Sequence, residues 1–189
     1  IAGGAASLLV RPISLITSVA LLGEWHWGEI PSLSELEPSP RLPIAAVIGA
    51  LVIAVIARGV PIIRGHGIPE AMEAVLRRQS RIAPRTAVAK PLSAAIAIGT
   101  GGPFGAEGPI IVTGAALGSM VGQIVRVTPS ERKILLASGA AAGMAATFGA
   151  PLAALLLAVE LLLFELSMRS LIPLVVATSI GGGAHAALF

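Results

Sequence analysis

The sequence predicts an all-α, polytopic membrane protein built of tilted and broken helices. Three observations lead there. Of 189 residues, 55% are hydrophobic and 12% charged, against roughly 25% charged in ordinary soluble domains. The mean hydropathy of +0.90 leaves room for several of the ~20-residue apolar segments that cross a bilayer. Glycine and proline, 22 and 14 residues, cut those segments into pieces. Irregular backbone at membrane depth is tolerated only inside protein or beside a water-filled path. The expected location is therefore integral and multi-pass, in the plasma (inner) membrane.

Residues 1–22 read as a first membrane helix with a kink or restart at Pro12, next to Arg11. Residues 23–43 form a polar loop rich in glutamate, placed outside. Residues 44–63 form a second apolar span that ends at Arg64, with Arg58 and Arg64 near the cytoplasm. GHGIPE at 65–70 leads into a short helix to about Arg78. Arg77, Arg78, Arg81, Arg85 and Lys90 then supply a strong cytoplasmic signal. A short apolar segment from Pro91 ends at a loop over Gly99–Gly105, and another helix runs from Glu107 to about Val125. Pieces this short suit broken helices around a midplane site, which is how transporters hold ions. Glu131, Arg132 and Lys133 read as a short loop. Residues 134–166 read as two helices jointed at Gly149-Ala150-Pro151, and Arg169 precedes a last span over about 171–188.

The pI of 10.6 would suggest nucleic acid in a soluble protein. Here the basic residues flank apolar segments, so no nucleic-acid partner is expected. The chain has no cysteine, and His26, His66 and His185 are scattered, so no metal and no cofactor is expected. The chain begins with Ile1 and both ends are apolar, which points to a fragment of a longer protein. Gly114, Gly118 and Gly122, and likewise Gly139 and Gly143, are spaced by four, which suits close helix packing in lipid.

Glu107 stands alone among residues 99–118, GTGGPFGAEGPIIVTGAALG. A carboxylate at membrane depth is costly and marks a functional site by default. Pro109 fits the first helical turn, Gly105 and Gly108 let backbone approach a ligand, and helix-start amides attract anions. Glu107 reads as a gate, with a structural helix cap as the alternative. GHGIPE is a second glycine-flanked helix start, and alone it reads equally as an ordinary loop entering an amphipathic helix. Its His66 adds a donor whose charge changes near neutral pH. Glu160 and Glu165 lie in LLLAVELLLFEL. They are candidates for a proton path or for structural pairing with an arginine. Ser138 and His185 do not make a hydrolase pair, because nothing brings them together.

GHGIPE at 65–70, GAEGP at 105–109 and ATFGAPLAALLLAVE at 146–160, in that order, resemble the CLC family of chloride channels and chloride/proton exchangers. The resemblance covers nearly all of the chain. It implies the first of two inverted-topology halves of an anion pore, with residues 1–189 as the N-terminal half of the transmembrane domain. It also implies chloride or a similar anion as transported ligand, a homodimer with one pore per subunit, and no enzyme activity. On that pattern Glu107 is the gate. Gly65, His66, Gly67, Ile68 and Pro69 match the inner anion-binding loop, and Gly105, Ala106 and Gly108 the outer one. The last two apolar segments would supply part of the dimer face.

Three departures matter. His66 replaces a serine, Ala106 replaces an Arg or Lys, and Leu161 stands where the family's exchangers carry a second glutamate. Leu161 makes a channel the leading expectation, with an exchanger next and a membrane enzyme or a non-conducting scaffold as remote alternatives. The second half's helix start and pore tyrosine are not in this chain, which contains no tyrosine.

Overall fold

The computed structural model describes residues 11–22, 40–65, 67–165 and 167–188. Among these the chain is all helical. Residues 23–39 of the acidic loop, residues 1–10 of the first expected helix, and His66 lie outside them, while residues 41–43, expected in that loop, are already helical.

Helix α1 (Arg11–Leu21) carries Pro12 in its first turn, where the missing N–H costs nothing. Its C-terminal end widens to π-helical geometry over Ser18–Leu22. Helix α2 (Arg41–Gly59) stops four residues before the expected 63. Pro61 is the reason: it pushes Val60 out of the helical region, to φ −136° and ψ 78°. A 3-10 turn over Pro61–Arg64 then leads to α3 (Ile68–Arg77).

Helix α4 spans Thr86–Gly99, so it starts five residues before Pro91 and holds that proline inside. This corrects the expected start of the helix at Pro91, an expectation that leaves Lys90 in the basic stretch before it. Lys90 lies inside α4 and is 3% exposed. Helix α5 (Glu107–Ile124) follows the irregular Gly99–Gly105 stretch, much as expected.

The second correction concerns Glu131, Arg132 and Lys133, which form the first turn of α6 (Pro129–Phe148) rather than a loop. The sequence Thr128-Pro129-Ser130-Glu131 is a helix-start signal. Thr128 Oγ1 accepts from the Glu131 amide at 3.3 Å, and the Glu131 carboxylate accepts from the Thr128 amide at 2.9 Å. Gly149 ends α6 in the left-handed region at φ 62°, and Pro151 opens α7 (Pro151–Leu163). The expected joint is therefore present. His185 Nδ1 lies 2.9 Å from the Ala146 carbonyl, so His185 packs at that joint. Helix α8 (Met168–Leu188) completes the chain.

Helix α6 is the hub, packed along α5 on one side and α8 on the other, with α4 against α5 and α2 against α4. Glycine makes the α5–α6 seam close. A Cβ on Gly114 would stand 2.9 Å from the Gly139 carbonyl carbon, and one on Gly118 2.8 Å from that of Leu135. The core around this seam is small-residue rich, with Ala115, Ala116, Ala137, Ala140 and Ala141 fully buried beside Leu136 and Leu174. Among the described residues two helices, α2 and α8, are long and apolar enough to cross a bilayer. Ile44, Val47, Leu51 and Val55 along α2 are exposed, the face a lipid-embedded helix would show.

Candidate functional site

The site forms where two broken helices begin. The chain enters α3 through Gly67, whose φ of +123° is a conformation that only glycine adopts at little cost. A Cβ there would stand 2.7 Å from the Gly108 carbonyl oxygen and close upon its Cα. The GHGIPE and GAEGP segments therefore meet backbone to backbone, 41 residues apart in sequence by their numbers.

Beside this contact, on the Gly108 side, lies a cavity of ≈ 420 Å³, which Gly67, Ile68, Pro69 and Ala106 do not line. Gly65, Gly105, Glu107 and Gly108 line it, together with Arg64 and Lys90. On the other side of the Pro61–Gly65 turn is a second cavity, ≈ 630 Å³, lined by Arg64, Gly65 and Glu70 among others. Arg64 and Gly65 face both.

Glu107 is the first residue of α5, behind an Ala106 that offers no side-chain cap. It is exposed toward the cavity, and its carboxylate makes no hydrogen bond or ion pair with another described residue. Glu70 behaves differently. At the third helical position it folds back, and Gly67 N–H donates to its carboxylate at 2.6 Å. One amide of the α3 start is therefore already satisfied from within the chain. Ile68 and Pro69 continue the first turn, half-buried and exposed respectively.

Lys90 is the residue that sequence reasoning missed. Its ammonium donates to the carbonyls of Ile63, at 2.9 Å, and Gly65, at 2.5 Å. It thereby fixes the turn that carries Arg64 into the cavity. A single lysine flanked by Ala89, Pro91 and an apolar run was the available signal. Arg64 and Lys90 put two basic side chains on the wall of the cavity that Glu107 also lines.

The remaining candidates lie elsewhere. Glu160 is exposed and does not line the Glu107 cavity. Glu165 is exposed too, 4.0 Å from Lys133, whose ammonium also donates to the Leu163 carbonyl and sits over the Phe164 ring. Its cationic neighbour is a lysine rather than the expected arginine. Leu161 is half-buried beside Glu160. Ser138 is buried with its hydroxyl unpartnered, while His185 contacts Ala146 two helical turns further along α6.

Residues 48–189 match the family described as voltage gated chloride channel. The chain belongs to this family. Among curated relatives, the H(+)/Cl(-) exchange transporter ClcA of Vibrio campbellii is 38% identical over 138 residues, which is 72% of this chain and 29% of the relative. ClcA of Vibrio parahaemolyticus is 39% identical over 142 residues, with the same coverages. ClcA of Klebsiella pneumoniae is 36% identical over 123 residues, 62% of this chain and 26% of the relative. The chain thus spans 29% of the length of the first relatives.

Proposed function

We propose that this chain forms the first half of an anion pathway, and that the full-length protein exchanges chloride or a similar anion for protons. The observation that carries the reading is a cavity at the α5 start, lined by Gly105, Glu107 and Gly108 together with Gly65, Arg64 and Lys90, next to the contact between Gly67 and Gly108. Removing a bare anion from water costs many kcal/mol. Oriented amides and a small surplus of nearby positive charge offset that cost without binding the ion too tightly to release it.

Glu107 is the gate in this scheme. As a carboxylate it competes with the anion for the α5 amides, and when protonated it yields them. Gly105, Ala106 and Gly108 present the outer backbone, and Gly65, His66, Ile68 and Pro69 the inner one. Gly67 serves through its turn and its bond to Glu70. Glu160 is the candidate for proton entry, since Glu165 is close to Lys133. The other half of the pore, a second copy along α7 and α8, and the bilayer complete the assembly. Exposed Leu152, Leu156, Ile172 and Val176 give that second copy an apolar face.

Proton coupling is preferred over a channel because the relatives named above are H(+)/Cl(-) exchange transporters. The channel reading rests on Leu161, an apolar side chain where the family's exchangers carry a carboxylate. The deciding experiment is reconstitution of the full-length protein in liposomes under a chloride gradient, with proton movement recorded alongside anion efflux. Uphill proton movement supports exchange. Anion flux without it returns the reading to a channel, and no anion flux at all removes both.

A further inference from the structure

At the opposite end of α5 from Glu107, roughly 25 Å away by helix rise, three arginines surround a cleft that the anion pathway does not use. The cleft has a volume of ≈ 300 Å³ and is lined by Arg81, Gly122, Gln123, Arg126, Val127 and Arg132. Arg81 arrives from the turn between α3 and α4, Arg126 from the end of α5, and Arg132 from the first turn of α6.

Arg132 is the unusual member. It is only 5% exposed, yet no carboxylate among the described residues pairs with it. The neighbouring Glu131 is turned onto Thr128. The guanidinium makes two long bonds, to the carbonyls of Gln79 at 3.5 Å and Val127 at 3.2 Å. Its Nε is buried without a partner. A topology-setting arginine needs only to stay on the cytoplasmic side, where it extends into water. A buried, unpaired one carries a desolvation cost that some partner should offset.

The surroundings are built to hold it there. Gly122 makes the space, because a Cβ would stand 2.9 Å from Arg132 Cγ. Arg126 sits in the left-handed region at φ 59° while Val127 N–H closes the helix end onto the Gly122 carbonyl at 3.2 Å. Glycine usually occupies that position. The walls are cross-linked: Ser119 donates to the Ser80 carbonyl at 2.7 Å, and Gln123 to that of Ile82 at 2.9 Å.

We infer that this cleft binds a phosphate group. Guanidinium forks match the oxygens of a phosphate in geometry as well as charge, and three of them converge with no acid between them. The phosphate comes either from an anionic lipid headgroup at the cytoplasmic interface or from a soluble phosphate. The site is independent of the reading of Glu107.

The test uses the full-length protein and an Arg81→Gln/Arg126→Gln double variant, whose two side chains are exposed, with its ligand-free Tm expected to match that of the wild type. Native mass spectrometry compares retention of phosphatidylglycerol with phosphatidylcholine. Thermal unfolding compares pyrophosphate with sulfate at equal ionic strength. Preferential retention of phosphatidylglycerol, reduced about tenfold in the double variant, supports the site and assigns it to a lipid. A rise in Tm with pyrophosphate over sulfate, lost in the double variant, supports it and assigns it to a soluble phosphate. No preference in either assay, or a preference unchanged in the double variant, overturns the inference. Arg132→Gln is a further variant expected to lose binding, but the double variant decides the matter even where Arg132→Gln fails to fold.

Discussion

At the start of α3 the Glu70 carboxylate lies back on the Gly67 amide at 2.6 Å, whereas at the start of α5 the Glu107 carboxylate makes no hydrogen bond or ion pair with another described residue and lines a cavity. The two segments look alike in sequence, each with two glycines, a proline and a glutamate. Their difference is one of position within the first turn. A glutamate at the third helical position reaches back to the capping amide, and Glu70 holds that place. Glu107 occupies the first position, from which its side chain cannot close the same loop. The α6 start repeats the α3 arrangement, with Glu131 at the third position bonded to Thr128. Of these three glutamate-bearing starts, those of α3 and α6 are closed by their own carboxylate and that of α5 is left open. The open one is where a competing anion has access to the amides.

The strongest way to break this comparison is to neutralise each carboxylate in turn. In the full-length protein, Glu107→Gln is expected to abolish the pH dependence of anion efflux from liposomes, because the competing charge is gone at every pH. Before that change, flux should rise as external pH falls and protonates the gate. Glu70→Gln should keep the pH dependence and lose only stability. If both variants flatten the pH profile, or neither does, the distinction between open and closed helix starts is wrong.

Next in size is a pair of glycines. Gly67→Ala meets both a forbidden φ and the Gly108 backbone, so a loss of about 3 kcal/mol is expected from strain and overpacking together. Gly105, in the matching loop, has nothing within 4 Å of a built Cβ. Gly105→Ala should change stability by less than about 0.5 kcal/mol. Thermal unfolding of the two variants checks this. Equal effects would mean that the two loops are not held together as described.

How far this was legible beforehand differed by residue. The joint at Gly149-Ala150-Pro151 and the α5 start at Glu107 were readable because glycine and proline act locally, on backbone within a turn. At the α6 start the charges of Glu131, Arg132 and Lys133 read as polar spacer, although Thr128 and Glu131 form a capping pair at the right spacing. Helix α2 was carried too far because apolarity alone, and not Pro61, set its end. Lys90 was misplaced for another reason. Its role comes from the carbonyls of Ile63 and Gly65, 27 and 25 residues away, and no periodicity within α4 reports such a contact. Arg64, counted as a cytoplasmic charge, lines the cavity for the same reason: the turn that aims it is held from α4.

Lys90 sharpens the comparison from below. Lys90→Met leaves two carbonyls without their donor and removes a positive charge from the cavity wall. A loss of about 2 kcal/mol is expected, with weaker anion binding seen by calorimetry on the full-length protein. Anion affinity unchanged in a folded variant would show that the open start at α5 does not depend on the turn below it.

The smallest effect concerns the α6 start, which serves as the control for a closed carboxylate away from the cavity. Thr128→Ala is expected to cost about 1 kcal/mol, the usual worth of a helix cap. The Glu131 carboxyl is exposed in this polar turn and is held below the usual carboxylate range, chiefly by the Thr128 hydroxyl and next by the Thr128 amide. A group depressed in the folded state contributes stability above its unfolded pKa, and that contribution fades as pH falls through the folded value. The difference between wild type and Thr128→Ala should therefore be full at neutral pH and shrink on acidification, in thermal unfolding of the full-length protein. A Thr128→Ala effect that stays constant down to acid pH would remove the closed start as a control, and with it the argument that position in the first turn sets how firmly a carboxylate is held.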